Sequence, residues 1–481
     1  MEKPLVLAFG YPMFSFRQTL LFYAILLCFQ AYLNAEPSAI PQPSATPMPS
    51  NPFTRARDHI RDTNPGAISG NPAAVNSKAG TGALGNFIGI PKDSGIEIGG
   101  LWLGDYNILM SGGAQPGASS WNSVLIASLH IDTEKLFGWK GGSFGIQFLQ
   151  LNAQGTNKQA GSVQGYNSLP GAPPLERSEL YQLWVRQSFF DDHLIIRVGK
   201  SVPNYDFGNV ARPVPSQDEH LAIPSVSGLL FTPIFVNPTL LGSLPGYYNS
   251  ACGLTVTIAP TKNTYLNYGF YDGNMANGAQ TGMLGPQFDG YYFNIWEAGV
   301  TWNIAHDYPG QFSAGLWYQT GVLQNTKGMT QDGTGGFYFF GSQRIWKRYD
   351  PPASIGGGDG KGKTVVVPTQ KDHISSISFY YQYGINNSTT LPVNQYFGGG
   401  LTAFGMIPGR PGDSVGTGLA WSWLDPNKFS RPSELMFQWY YQAHLVGATF
   451  LEPAITYIPT PGASPSLSGA WALTVRVTVL F

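Results

Sequence analysis

The amino-acid sequence predicts an all-β protein, a transmembrane antiparallel β-barrel of about 16 strands that follows a disordered N-terminal segment. Three observations support this fold class: an alternating apolar pattern in the last residues, a low charged fraction without helical membrane spans, and strand signals at regular intervals. Strands can cross a bilayer only as a closed barrel, because every backbone polar group must be hydrogen-bonded there.

The last strand, residues 471–481, has the pattern of a strand that faces lipid. Every second residue from Trp471 to Phe481 is apolar, whereas Thr474 and Arg476 belong to the other face. A strand of this length, tilted by about 45°, spans roughly 25 Å, which matches the apolar band of an outer-membrane barrel. Aromatic residues at both ends of the apolar face fit the girdles at the two interfaces of such barrels. A soluble edge strand is the alternative, and it does not require them.

The composition favours strands over helices as the elements that cross the membrane. Charged residues make up 11% of the chain and apolar residues 43%, whereas ordinary soluble domains are about 25% charged. Beyond the N-terminus no run of about 18 apolar residues occurs. The 60 glycines and the aromatic fraction of 14% suit turns and girdles, and a formal net charge of -1 argues against a nucleic-acid partner.

Residues 1–35 have the features of a signal peptide, which directs a protein to export. Arg17 precedes a short apolar run, and Ala35 is the small residue that a signal peptidase requires. We predict cleavage after Ala35; a membrane anchor and a lipoprotein are less favoured alternatives, and Met13 is an alternative start. Cleavage leaves Cys252 as the one remaining cysteine, so no intramolecular disulfide is expected. It changes the formal net charge from -1 to -2, because two positive residues and one negative residue are removed.

Residues 36–83 have the composition of a Pro-rich, disordered periplasmic linker. The prolines between Pro37 and Pro52 lie among Ser, Ala and Thr, and a mixed-charge patch follows at 55–62. A peptidoglycan or partner contact through this patch is the alternative. The remaining residues, 84–481, form the predicted barrel domain.

Strand signals then recur at intervals of about 24 residues, a spacing typical of porins. The predicted strands are 96–107, 123–131, 144–153, 180–189, 194–199, 254–259, 265–271, 291–303, 312–319, 336–346, 374–384, 399–407, 416–424, 435–443, 450–458 and 471–481. An even strand number places both ends of the barrel domain in the periplasm, so short turns and long outer loops should alternate. Segment 347–373 departs from this rule. Its Gly-rich core, 356–363, predicts a disordered insertion rather than a phosphate-binding loop, which would need a helix directly after it.

Several stretches occur in an order and spacing that is characteristic of one family. They are Gly100-Leu-Trp-Leu-Gly-Asp105, Ser111-Gly-Gly113, Glu179-Leu-Tyr-Gln-Leu-Trp184, Leu194-Ile-Ile-Arg-Val-Gly-Lys200, Gly398-Gly-Gly-Leu401, Gly405-Met-Ile-Pro-Gly-Arg-Pro-Gly-Asp413, Glu434, Tyr440-Tyr441 and the terminal Phe481. From about Leu84 to its end, the sequence thereby resembles the carbohydrate-selective porins of the Gram-negative outer membrane. The resemblance implies a 16-stranded barrel that passes sugars by diffusion. The Pro-rich linker and segment 347–373 depart from the family pattern.

Strand parity predicts which side chains line the inside of the barrel. A charge on the lipid face near the midplane costs about 2–4 kcal/mol, so inward placement of charged residues is favoured. The residues predicted to line the pore and the sugar path are Glu97, Asp105, Trp184, Arg186, Arg197, Trp317, Tyr380, Glu434, Tyr440 and Arg476. Aromatic faces beside carboxylate and guanidinium groups suit weak stacking and hydrogen bonding of sugars. The alternative for each aromatic is packing within the lumen.

An outer-membrane enzyme and a secreted β-rich binding module are the competing classes, and a general or ion-selective porin is the nearer alternative. The seven histidines are scattered, and neither a Gly-x-Ser-x-Gly elbow nor a His-Glu-x-x-His pair occurs. We therefore predict no catalytic, cofactor or metal site. The expected partners are small sugars as solutes, outer-membrane lipid, and the assembly machinery, which should read Phe481 as a signal; the sequence leaves a homo-oligomer open.

Overall fold

The computed structural model describes residues 82–91, 94–170, 174–208, 244–246, 249–261, 263–282, 285–305, 308–350, 354–358, 364–368, 373–386, 390–410, 412–447 and 449–481. The predicted signal peptide lies outside the described residues. The predicted linker lies outside them too, except for its last two positions.

Sixteen antiparallel strands form a closed barrel in the described part of the chain. They are β1 (Ile96–Ser111), β2 (Ser119–Asp132), β3 (Gly142–Asn152), β4 (Glu176–Phe189), β5 (Leu194–Ser201), β6 (Ala251–Thr261), β7 (Thr264–Asp272), β8 (Tyr292–Ile304), β9 (Tyr308–Gln324), β10 (Thr330–Asp350), β13 (His373–Asn386), β14 (Val393–Phe404), β15 (Ser414–Leu424), β16 (Ser433–Val446), β17 (Thr449–Ile458) and β18 (Ala470–Leu480). Each strand pairs with the next one in the chain, β10 pairs with β13, and β1 closes on β18. The predicted fold class is confirmed, and each predicted strand overlaps one strand of the barrel.

The segment between β10 and β13 differs from its prediction as a disordered insertion. Two short strands, β11 (Ser354–Gly358) and β12 (Thr364–Pro368), pair with each other in a separate antiparallel sheet. The three valines of β12 favour an extended backbone, which the Gly-rich pattern of the segment obscured. Residues 359–363, the tip of that pattern, lie outside the described residues.

Helices are few and short in the described residues. They are α1 (Ala83–Phe87), α2 (Thr133–Phe137), α3 (Thr156–Ala160) and α4 (Pro203–Asp206), together with a 3₁₀ turn at Asn274–Asn277. Helix α2 begins where the Asp132 side chain accepts from the backbone N–H groups of Glu134 and Lys135, and it ends at Gly138, which has a left-handed backbone. None of the described helices is long and apolar enough to span a membrane.

The two ends of the barrel carry connections of different length. We call the end that holds Ile96 and Phe481 the turn end, and the opposite end the loop end. At the turn end the connections are short, as at 190–193 between β4 and β5, with segment 351–372 as the exception. The longest loop-end connections are 153–175 and 202–250. The predicted alternation of short turns and long loops therefore holds only in part, because 325–329 and 387–392 at the loop end are shorter than 133–141 at the turn end.

The strands have an exposed apolar face and a buried face, which in a closed barrel are the outer and inner faces. In β18 the residues Ala472, Thr474, Arg476 and Thr478 are buried, whereas Trp471 is exposed on the opposite face. A bulge in β4 breaks this alternation, because Tyr181 and Gln182 are both buried and the register with β3 shifts there.

Part of the buried apolar core lies on the inner face of the first strands. Leu101 of β1, Val124 of β2 and Leu149 of β3 belong to one cluster with Leu169 of the β3–β4 connection and Tyr205 of α4. The described parts of two loop-end connections therefore fold inward and pack against the wall of the barrel.

Candidate functional site

The predicted path residues fall into three groups on the inner face. Asp105, Arg476 and Glu434 hold loops that fold into the barrel. Trp184, Arg186 and Arg197 form one patch, which Glu97 approaches through a histidine. The last group comprises the aromatic side chains Trp317, Tyr380 and Tyr440.

Asp105 and Arg476 form a buried ion pair across the seam where the first and last strands close the barrel. They are direct partners in the β1–β18 register. Arg476 Nε donates to Asp105 Oδ1 at 2.8 Å, and Nη2 donates to Oδ2 at 2.8 Å. This two-bond geometry is the strong arrangement for a guanidinium and a carboxylate. Sequence parity places both residues on one face, but it does not show that they meet.

The seam pair also holds residues 153–170 of the β3–β4 connection, which we call the inner loop. Asn167 Nδ2 donates to Asp105 Oδ2 at 2.7 Å, and Arg476 Nη2 donates to Ser168 Oγ at 3.3 Å. Tyr166 is buried beside them, and burial together with the nearby Asp105 raises the pKa of its phenol well above the usual range. The phenol therefore stays neutral in the inner loop.

Glu434 of β16 is the second point at which the wall holds the inner loop. Its carboxylate is buried and accepts hydrogen bonds from Ser162, Val163 and Gln164. It also accepts from Gly462 of the β17–β18 connection. The carboxylate oxygens of this predicted path residue are therefore already hydrogen-bonded to donors from the loops.

The beginning of the β5–β6 connection is held by a residue that the sequence analysis missed. Glu297 of β8 accepts from the backbone N–H of Gly208 at 2.7 Å and from the hydroxyls of Tyr265 and Tyr338 at 2.5 and 2.7 Å. The parity argument would have found it, because the neighbouring Trp296 is exposed on the outer face.

The Trp184 patch is the name that we give to Trp184, Arg186 and Arg197. These three residues lie together, as predicted. Arg197 Cζ is 5.8 Å from the centroid of the Trp184 ring, within the range of a cation–π contact. Arg186 and Arg197 are direct partners in the β4–β5 register. The Arg197 guanidinium also pairs with Asp206 of α4, and Arg186 Nη2 lies 3.8 Å from Asp192 Oδ1. The Arg186 side chain remains 32% exposed.

Glu97 lies next to this patch rather than inside it. Its Oε2 is 3.9 Å from His130 Nδ1, and the His130 ring is 6.3 Å from the Trp184 ring. The Glu97 side chain is 42% exposed. Glu97 of β1 and His130 of β2 thus extend the Trp184 patch past β3 to the first two strands.

Each predicted aromatic lies directly opposite a glycine of the neighbouring strand. The pairs are Trp184 with Gly145, Trp317 with Gly336, Tyr380 with Gly400 and Tyr440 with Gly416. In all four pairs the aromatic side chain occupies the space that a Cβ on the glycine would need. The rings therefore pack against the wall, which is the alternative that the sequence analysis left open; contact with a sugar stays a prediction.

The bulge in β4 also determines the face of two residues that strand parity alone would misassign. Counting outward from Trp184 without the bulge would place Arg177 and Glu179 on the outer face. In the structure both are buried on the inner face, with Arg177 Nε 3.7 Å from Glu179 Oε1. Arg177 Nη1 also donates to Asn249 Oδ1 at 2.9 Å, close to the start of β6.

The described residues contain no group of three or more His, Cys, Asp or Glu side chains placed to hold a metal ion. The inner face instead combines ion pairs, loop anchors and rings packed on glycines within a closed barrel. Residues 124–481 match the model of the family described as carbohydrate-selective porin, OprB family.

The chain belongs to this family. Porin B of Pseudomonas aeruginosa is 23% identical over 395 residues, which cover 73% of this chain and 80% of that protein. The high-pH structure of Pseudomonas putida OprB aligns with a TM-score of 0.64 and 17% identity, covering 81% of this chain and 95% of the OprB chain. The low-pH structure of the same protein aligns with a TM-score of 0.51 and 15% identity, covering 84% and 99% of the two chains.

The family resemblance seen in the sequence is thus confirmed, and the protein is an outer-membrane porin of the carbohydrate-selective family. In such a barrel the exposed apolar face of the strands contacts lipid, and the inner face surrounds the path of the solute. The Trp184 patch and the loop anchors both lie on this inner face.

Proposed function

We propose that this porin allows passive diffusion of small hydrophilic solutes across the outer membrane, with a preference for carbohydrates. The observation that carries the proposal is the Trp184 patch, where a partly exposed guanidinium stands beside an aromatic ring and a second guanidinium. Arg186 can donate to the hydroxyls of a passing sugar, while Trp184 and Arg197 form a firm wall next to it. Each such contact contributes only about 1 kcal/mol, so the solute is not trapped.

A channel function, rather than catalysis, is supported by the state of three inner-face carboxylates. Asp105, Glu297 and Glu434 each accept several hydrogen bonds from loops or neighbouring strands. A carboxylate that is engaged in this way is poorly placed to act as a general acid or base, which must reach a substrate proton. We therefore propose that the chain is not an enzyme.

We also propose that residues 1–35 are removed on export and that residues 36–83 form a periplasmic linker. The longer connections at the loop end support an orientation in which this end faces the outside and both ends of the barrel domain lie in the periplasm.

Proteoliposome swelling tests the main proposal. Purified, folded porin is reconstituted, and swelling rates are measured with a monosaccharide, a neutral amide and a zwitterionic amino acid of similar size. We expect the fastest swelling with the monosaccharide. Rates that depend on solute size alone would favour the alternative of a general porin, and a lack of swelling with every solute would overturn the proposal.

A further inference from the structure

Two loop-end connections meet on one carboxylate of the barrel wall. Glu434 is the second residue of β16 and is fully buried. One oxygen, Oε1, accepts from Ser162 Oγ at 2.6 Å and from Gln164 N at 3.2 Å. The other, Oε2, accepts from Val163 N at 2.9 Å and from Gly462 N at 2.6 Å. Four donors from two loops thus converge on a single side chain.

The inner loop reaches Glu434 from a distant part of the wall. Its flanking strands are β3 and β4, whereas Glu434 lies on β16, which is separated from β3 by β2, β1, β18 and β17 in the closed sheet. The loop contacts the seam pair on β1 and β18 on its way, and Gln438 Nε2 of β16 donates to the carbonyl of Tyr166 at 3.2 Å. The inner loop therefore covers part of the interior instead of lying outside the barrel.

The loop side of the contact is completed by Gln164. Its Nε2 donates to the carbonyls of Ala420 and Glu434 at 3.2 and 3.3 Å, and its Oε1 accepts from Ser422 Oγ at 2.7 Å. The two loops are also joined to each other, because Ala463 N donates to the carbonyl of Gly161 at 3.0 Å. Gly462 can approach only because it lacks a side chain, since its Cβ would lie 2.9 Å from Glu434 Oε2.

We propose that Glu434 is the positioning residue that sets the pore aperture at the loop end. It clamps the inner loop to the β17–β18 connection, and the clamped pair acts as the size filter of the porin. The inference rests on the proposed diffusion function and adds which element restricts the solute. On this basis the size filter is formed by two loops that one carboxylate holds in place, and not by the fixed wall of the barrel.

Glu434→Gln is the sharpest test, because it keeps the shape of the side chain but replaces one acceptor oxygen by an amino group. In either orientation of the amide, two of the four donors then face another donor. Loss of one charge-assisted hydrogen bond shifts a two-state equilibrium by about tenfold or more, so the released state of the loops should gain at least that factor. We expect larger single-channel conductance steps in KCl and swelling with a trisaccharide that approaches the rate with a monosaccharide.

Glu452→Gln is the matched control. Glu452 is a buried carboxylate on the neighbouring strand β17, and its Oε2 accepts from Gln442 Nε2 at 2.8 Å. Among the described residues it receives no hydrogen bond from a loop, since its Oε1 has no donor. This variant should keep the conductance and the trisaccharide-to-monosaccharide ratio of the wild type.

A loop-side double variant keeps the test valid if Glu434→Gln does not fold. Ser162→Ala with Gln164→Ala removes donors and acceptors of the same contact while the barrel wall keeps its own sequence. It should raise the trisaccharide-to-monosaccharide ratio in the same direction. Wild-type conductance and size exclusion in the folded variants would overturn the clamp, whereas a wild-type porin that passes no solute would instead overturn the proposed function.

Discussion

The guanidinium of Arg197 lies over the indole ring of Trp184, with its Cζ 5.8 Å from the ring centroid. The two residues belong to neighbouring strands, and the Gly145 side of the indole is packed against β3. Arg186, the register partner of Arg197, adds a second guanidinium at the same level of the barrel. This stack holds an aromatic ring and two cations together at a place where a solute can contact Arg186.

Trp184→Ala and Arg186→Ala should each lower sugar flux more than they lower single-channel ion conductance. Arg186→Ala removes a sugar contact of about 1 kcal/mol, equivalent to roughly a fivefold change in sugar permeation, and Trp184→Ala removes the buried ring over which Arg197 lies. Ions should be less affected, because a smaller side chain widens the path. Proteoliposome swelling and bilayer conductance measure the two quantities.

Trp296→Ala is the control for the loss of a large ring, since Trp296 is 43% exposed on the outer face of β8. It should leave sugar flux at the wild-type level. If both inner-face variants fold and pass sugars as fast as the wild type or faster, the Trp184 patch is only lumen packing.

The strand set and the inner-face assignments could be predicted from sequence because lipid on one side imposes a strict alternation. The seam pair shows the limit of that reasoning: Asp105 and Arg476 were both placed inward, but their contact depends on how β1 and β18 align on closure. The bulge at Tyr181 could not be predicted, because one extra residue does not change the composition of a strand noticeably. This bulge places Arg177 and Glu179 on the inner face.

The contacts of the loops with the barrel wall could not be predicted for a different reason. Ser162, Asn167 and Gly462 have no periodic pattern, and their partners are distant in the chain, so no local signal joins them to Glu434 or Asp105. As a result, the sequence analysis placed Asp105, Glu434 and Arg476 along the sugar path without predicting that they hold loops.

Gly145→Ala should destabilise the barrel, although it adds only one methyl group. The added Cβ would lie 2.1 Å from Trp184 Cζ2, so the buried indole ring would have to shift. Such overpacking costs about 1–3 kcal/mol in the free energy of unfolding. The measurement is the denaturant midpoint at which the heat-modifiable, folded band disappears from gels.

Gly285→Ala is the matched control, because a Cβ at this position has no heavy atom within 4 Å. Its midpoint should equal that of the wild type. A Gly145→Ala barrel as stable as this control would show that the ring can shift at little cost.

Ion selectivity should be weak. Inner-face charges of both signs are paired, as in Asp105 with Arg476 and Arg197 with Asp206, so neither sign dominates the interior field. In a tenfold KCl gradient we expect a reversal potential well below the roughly 59 mV of a perfectly selective channel. A strongly anion-selective potential would contradict this reading and indicate a pore suited to phosphate.

Deletion of Phe481 should lower the amount of folded barrel in the outer membrane several-fold. Phe481 N donates to the carbonyl of Gly100 at 3.0 Å, and Gly100 N donates to the carbonyl of Phe481 at 2.7 Å, so the residue extends the β1–β18 seam beyond β18. Its ring also occupies the space in which a Cβ of Gly100 would lie. Losing these contacts exposes the edge at which the barrel closes, and it removes the aromatic that we expect the assembly machinery to read.

Phe481→Tyr keeps both the backbone bonds and the ring, and should therefore assemble normally. The yield of the heat-modifiable band in outer-membrane fractions is the measurement, and equal yields from the deletion and the wild type would show that Phe481 is dispensable.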